Sequence, residues 1–246
     1  MAFPHTIPRS PFAFVLHLVA FASISWSFNE LWKPSPMSDF MESSYGGHWQ
    51  YLTILSLAIA WLTFLFSLLY DVLPLSLFAR LKTSVAILAV PVEGLVGLLY
   101  WTLTVVNPAL LNPSLGEGKE PFRIPFWLDV SLHGLPAVFL WLDFLLFSPP
   151  FPTRARPALL SSLAAAAYVL WLEHAAARNG RYAYPMLDEW TPVQRSIFYV
   201  LQIPVLIGLY KLANGIHRLV RGEPDVRNEA KHVERAERKV GAKKGQ

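Results

Sequence analysis

The sequence predicts an all-α, polytopic membrane protein, a six-transmembrane-helix bundle, and three observations predict it. Of its 246 residues 54% are hydrophobic and only 15% charged, against roughly 45–50% and roughly 25% in an average globular chain. So few charges cannot coat a soluble domain of this size. Six stretches (residues 11–28, 49–69, 83–106, 124–147, 157–176 and 193–213) are mostly apolar, and about 20 such residues cross a hydrocarbon core about 30 Å thick. Finally, the apolar runs are continuous and lack the period-two alternation of a membrane β-barrel. The nine Trp, nine Tyr and sixteen Phe suit aromatic belts at the two interfaces.

The stretch at 11–28 has no small-residue cleavage site close behind a short apolar core, so it reads as a retained span. The second span follows Tyr45-Gly46-Gly47-His48-Trp49, where paired glycines permit a tight or positive-φ turn. Pro91 and Glu93 interrupt the third span, and the fourth carries Asp129, His133 and Asp143. Glu173 and His174 close the fifth beside Arg178, an interfacial position. Residues 1–220 thus form the membrane domain, and 221–246 a charged tail. No internal repeat suggests a carrier built from inverted halves.

An even number of spans puts both termini on one side. That side holds fifteen Lys and Arg, ten of them from Lys211 onward, against six on the other, which predicts cytosolic termini. Lys243 and Lys244, third and fourth from the C-terminus, resemble a dilysine endoplasmic-reticulum retrieval signal read by a coat receptor; an ordinary basic terminus is the alternative. The net charge of +4 sits mostly in the tail, with no aromatic-basic groove for nucleic acid. Cysteine is absent, which removes disulfides, thiolate nucleophiles and Cys-based zinc sites. No paired His at i,i+4, Walker loop, GxGxxG turn or G-x-S-x-G elbow is present, so neither a metal nor a cofactor is expected.

Ionisable groups in membrane helices cost roughly 2.5–3.5 kcal/mol each on insertion scales, so His17, Glu93, Asp129, His133 and Asp143 each need a reason. At 100° per residue Asp129, His133, Pro136 and Asp143 share an arc of roughly 80° facing the bundle interior. Thr53 and His133 fall in the same half of the membrane, within about 8 Å in depth. A hydroxyl beside an imidazole is a nucleophile–base pair suited to acyl transfer. Two plainer readings stay open: Thr commonly bonds its own i−4 carbonyl, and a buried His can simply tie helices together. Glu93 is either a further polar partner or a lone carboxyl beside a proline.

Four segments carry a resemblance. Tyr45-Gly46-Gly47-His48-Trp49-Gln50-Tyr51-Leu52-Thr53, Ala89-Val90-Pro91-Val92, Asp129-Val130-Ser131-Leu132-His133 with the run to Asp143, and Asn179-Gly180-Arg181-Tyr182-Ala183-Tyr184-Pro185 resemble, in order, motifs of the androgen-induced-gene and androgen-dependent TFPI-regulating protein family. The likeness spans roughly residues 45–210. Asp129-Val130 stands for the family's Asn-His pair, Glu93 for an apolar residue and Tyr182 for a Trp, departures that bear on substrate choice. The resemblance implies a multi-span membrane threonine hydrolase, a carboxylic ester hydrolase that splits fatty acid esters of hydroxy fatty acids. It places the nucleophile at Thr53 and the base at His133. Asp143 matches an acidic position; Asp129, Glu93, Gly46 and Gly47 are supporting or substrate-pocket candidates, the glycine amides as oxyanion donors. The expected partners are a lipid ester and the bilayer. The alternative is a non-catalytic lipid-binding scaffold or small-solute carrier.

Overall fold

The computed structural model describes residues 10–114, 120–152 and 155–222. The tail, with Lys243 and Lys244, lies outside the described residues. Among these residues six helical stretches are long and apolar enough to cross a membrane.

The first is α1 (Pro11–Leu31), whose Pro11 occupies a first-turn position where its missing N–H costs nothing. A short α2 (Pro36–Glu42) follows, its first turn capped by Ser35, which accepts from the Ser38 amide. Gly46 and Gly47 then turn the chain with φ of 86° and 51°, leading through a 3-10 turn, Gly47–Gln50, into α3 (Leu52–Val72). Trp49 therefore lies in this turn rather than in the span. The third span, α4 (Ser76–Val106), starts seven residues before the expected Thr83. Its charged Lys82, which reads as a boundary, is buried inside the bundle against Asp143.

The fourth span is broken into α5 (Phe126–His133) and α6 (Leu135–Leu146) at Gly134, with Pro136 in the first turn of α6. His133, Pro136 and Asp143 are nonetheless buried and Asp129 half-buried, so all four lie on the interior side that the shared arc predicts. The fifth span, α7 (Pro157–Asn179), ends on Gly180 in the left-handed conformation, φ 69°, where glycine pays no Cβ penalty. After the short α8 (Pro185–Glu189), a capping box of Thr191 and Gln194 opens α9 (Pro192–Arg221).

Packing centres on the antiparallel α3–α4 pair, with α1 on α3 and α6, and α9 on α4 and α6. The helices meet around Ile24, Leu57, Phe64, Leu140 and Phe144, all buried. Large apolar side chains left exposed on α1, α7 and α9, such as Val15, Leu163, Leu170 and Val200, suit a lipid solvent. By contrast α7 packs chiefly on α9 and on the turn before α3. The space between α7 and the α3–α4 pair stays open as a cavity of about 550 Å³.

Candidate active site

The cavity is walled mainly by apolar side chains of α3, α4, α7 and α9, and Thr53, in the first turn of α3, is one of its few polar residues. Thr63 and Thr83 behave as membrane threonines usually do, donating to the i−4 carbonyls of Ile59 and Ala79 at 2.8 and 2.9 Å. Thr53 does not. Tyr51, at the N-cap of α3, is extended (φ −89°, ψ 132°), so no preceding helical turn presents an i−4 carbonyl to Thr53; the Trp49 carbonyl accepts from the Trp171 indole at 2.8 Å, and the Gln50 carbonyl from the Tyr168 hydroxyl at 3.2 Å. Its hydroxyl has no hydrogen bond among the described residues.

The turn before α3 is built to admit Trp171. A Cβ on Gly46 would come within 3.1 Å of the Trp171 ring, and its φ of 86° disfavours any other residue. Asn179 straps the turn to the end of α7, accepting from the Tyr45 amide at 2.6 Å and donating to the Tyr45 carbonyl at 3.1 Å. Arg181 donates to the Ser44 hydroxyl at 2.7 Å. The glycines are thus part of the scaffold. The Gly47 amide is spent on the Ser44 carbonyl at 2.9 Å, which corrects the expectation that it serves as an oxyanion donor.

His133 ends α5 and is 5% exposed. Its Nδ1 lies 2.8 Å from Asp129 Oδ1, one helical turn back, so Nδ1–H donates to the carboxylate and Nε2 is the basic nitrogen. Trp101 donates its indole N–H to the His133 carbonyl at 3.1 Å, and a Cβ on Gly97 would meet that carbonyl at 3.1 Å. Two features of α4 therefore fix the imidazole's backbone. Tyr100 lies flat on the ring, centroids 3.4 Å apart and planes 3° apart, while also lining the cavity beside Thr53. Thr53 and His133 share one end of the bundle without a mutual hydrogen bond, and Tyr100 separates His133 from the cavity. Sequence reasoning missed Tyr100, Trp171 and Tyr168, since one aromatic among many gives no pattern.

Glu93 is buried in α4 beside Ser56, itself a cavity residue, and its Oε1 lacks a partner. Asp143 goes elsewhere. It binds Lys82 Nζ at 2.8 Å, His17 Nε2 at 2.7 Å and the Ser148 hydroxyl at 2.9 Å, while His17 Nδ1 lies 2.6 Å from Asp71. This cluster sits at the end of the bundle that holds the termini, about 15 Å along the span from His133. In the loops, burial and the hydrogen bond to Glu173 push the Tyr182 hydroxyl up to about 12. Burial pushes the His48 imidazole down. No group of three or more His, Cys, Asp or Glu side chains suited to a metal ion occurs among the described residues.

Fold and site together define a six-span helical membrane protein with an apolar cavity between its helices. The chain belongs to the FAR-17a/AIG1-like protein family, whose model matches residues 12–218. It is 35% identical over 213 residues to a UPF0641 membrane protein of Schizosaccharomyces pombe, covering 86% of this chain and 93% of that one. It is 22% identical to the human androgen-induced gene 1 protein, across 82% of this chain and 87% of the relative. To the human androgen-dependent TFPI-regulating protein it is 24% identical, across 72% and 79%. No solved structure matches.

Proposed function

We propose that this protein is an intramembrane lipid ester hydrolase that cleaves fatty acid esters of hydroxy fatty acids, with Thr53 as nucleophile and His133 as base. The observation that carries the reading is the hydroxyl of Thr53, which has no hydrogen bond among the described residues and borders an apolar cavity.

The substrate's acyl chain fills the cavity and displaces the Tyr100 ring, opening His133 to Thr53. His133 Nε2 takes the Thr53 proton as Oγ1 attacks the ester carbonyl carbon, and the alcohol leaves with that proton. The resulting acyl-threonine is cleaved by water, whose proton passes to His133 and back to Thr53 as the fatty acid departs. Asp129 holds the ring in the required tautomer. Thr53 lies in the first turn of α3, where the positive end of the helix dipole favours the developing oxyanion. The protein works in the endoplasmic-reticulum membrane with both termini cytosolic.

A second reading, a proton-coupled carrier, draws on the buried His17–Asp143–Lys82 cluster. Ester turnover by the detergent-purified protein separates the two. Thr53→Ala and His133→Ala should stay folded and lose hydrolysis of a hydroxy-fatty-acid ester. A folded wild type with no turnover, yet moving protons in sealed vesicles, would replace the hydrolase by the carrier.

A further inference from the structure

Attack on an ester builds negative charge on the carbonyl oxygen, and that charge needs hydrogen-bond donors. The turn before α3 has already spent most of its amides. Gly47 donates to the Ser44 carbonyl, Trp49 to Gly46, Tyr51 to His48, and Ile54 and Leu55 both to Tyr51. The Leu52 amide donates to the Tyr184 hydroxyl oxygen at 3.0 Å. The Thr53 amide, second in α3, has no acceptor among the described residues, since the opening N–H groups of a helix lack intrahelical partners.

Tyr184, just before α8, brings a second donor to the same place. The Tyr168 hydroxyl beside it is spent on the Gln50 carbonyl. For its own hydrogen Tyr184 has only the Tyr168 oxygen, 3.3 Å away, among the described residues, beyond the usual O–H···O range of about 2.5–3.0 Å. A phenol so loosely engaged is ready to donate to a stronger acceptor, and an alkoxide is one. Burial pushes the Tyr184 phenol up, which keeps it protonated. Leu52, Thr53, Tyr168 and Tyr184 all line the cavity.

We propose that the Tyr184 hydroxyl and the Thr53 amide form the oxyanion hole, which makes Tyr184 a further catalytic residue. The proposal rests on Thr53 as nucleophile and deepens that reading. As Thr53 Oγ1 bonds to the ester carbonyl carbon, the electron pair of the C=O bond moves onto its oxygen. The two donors hold the resulting alkoxide without giving up a proton. The pair returns as the bond to the alcohol half breaks, and that half leaves with the proton held on His133. The nucleophile's own amide serves the same purpose in Ser-His-Asp hydrolases.

The test uses the full-length protein in lipid nanodiscs. Tyr184→Phe should lower kcat for a hydroxy-fatty-acid ester about a hundredfold with KM little changed, the loss expected for one oxyanion donor. A long-chain trifluoromethyl ketone, which adds Thr53 Oγ1 to give a stable alkoxide, should lose affinity in step, while a long-chain fatty acid binds as before. Loss of the Leu52 contact alone would weaken both ligands alike. A ring-fluorinated tyrosine at position 184 keeps that contact but gives up its proton at lower pH, so kcat should fall on the alkaline side earlier than in wild type. Unchanged kcat in folded Tyr184→Phe overturns the proposal, as do equal losses for ketone and acid or an alkaline limb that the fluorinated residue does not move. Turnover abolished by Thr53→Ala yet untouched by Tyr184→Phe removes the role of Tyr184 alone. A folded wild type that neither cleaves the ester nor binds the ketone more tightly than the acid removes the hydrolase reading, and the oxyanion hole with it.

Discussion

The two ends of the bundle handle polar groups in opposite ways. At the end with the termini, His17, Asp71, Lys82, Asp143 and Ser148 bind one another at 2.6–2.9 Å with their key atoms all engaged. From mid-span toward the other end, Glu93 and Gln202 have unpartnered oxygens, the Thr53 hydroxyl has no hydrogen bond among the described residues, and a cavity of about 550 Å³ lies open, whereas at the end with the termini only His217 Nδ1 of the described residues is left over. Closed networks tie α1, α3, α4 and α6 together; open ones have capacity left for a ligand. A charged residue in a membrane helix is therefore not by itself a sign of chemistry. The unmet hydrogen bond is the better guide.

That contrast breaks most visibly if the wrong end controls turnover. His133→Ala should lower ester hydrolysis a thousandfold or more, about 4 kcal/mol in the barrier, with a thermal midpoint close to wild type. A loss of less than tenfold would remove His133 as the base. Lys82→Met should do the reverse, costing about 3–5 kcal/mol of stability, since it strips a buried carboxylate of its cation. Turnover per folded molecule should hold, and Lys82→Met with Asp143→Leu should recover most of the stability in denaturant unfolding.

Trp171→Phe sharpens the comparison within the open end. It removes the indole's bond to the Trp49 carbonyl and loosens the turn that leads into α3, so hydrolysis should fall about tenfold for a stability cost of only about 1 kcal/mol. Unchanged turnover would mean that this bond does not position Thr53. The smallest effect concerns His48, whose imidazole is held below its ordinary range by burial. The unfolded chain then binds the proton more readily than the folded one, so this contribution is full above the ordinary imidazole range and fades as pH falls below it. Unfolding midpoints at pH 7.5 and 5.5 should differ more for wild type than for His48→Gln.

Much of the fold was legible because long apolar runs have little choice but to span. The boundaries were less so, and Lys82 shows why: a cation reads as water-facing until its partner, sixty-one positions on at Asp143, is seen. Asp129 was readable beside His133 because both belong to α5, within one turn. The partners of Asp143 were not, because Lys82 and His17 come from helices far away in the chain. The turn that leads to Thr53 depends on Trp171, and the separation of His133 from the cavity on the flat face of Tyr100. Such contacts come from tertiary packing and leave no period in the sequence.

The loose seat of α7 has a further consequence. Because α7 leans on α9 and leaves the α3–α4 pair uncovered, a chain in the cavity has the bilayer as its neighbour and need not pass through water. For the proposed hydrolase the quantity that sets the rate is then the mole fraction of ester in the membrane. Dilution with inert lipid should slow the reaction even when the total ester in the tube is constant, while dilution with buffer should leave the rate per molecule unchanged.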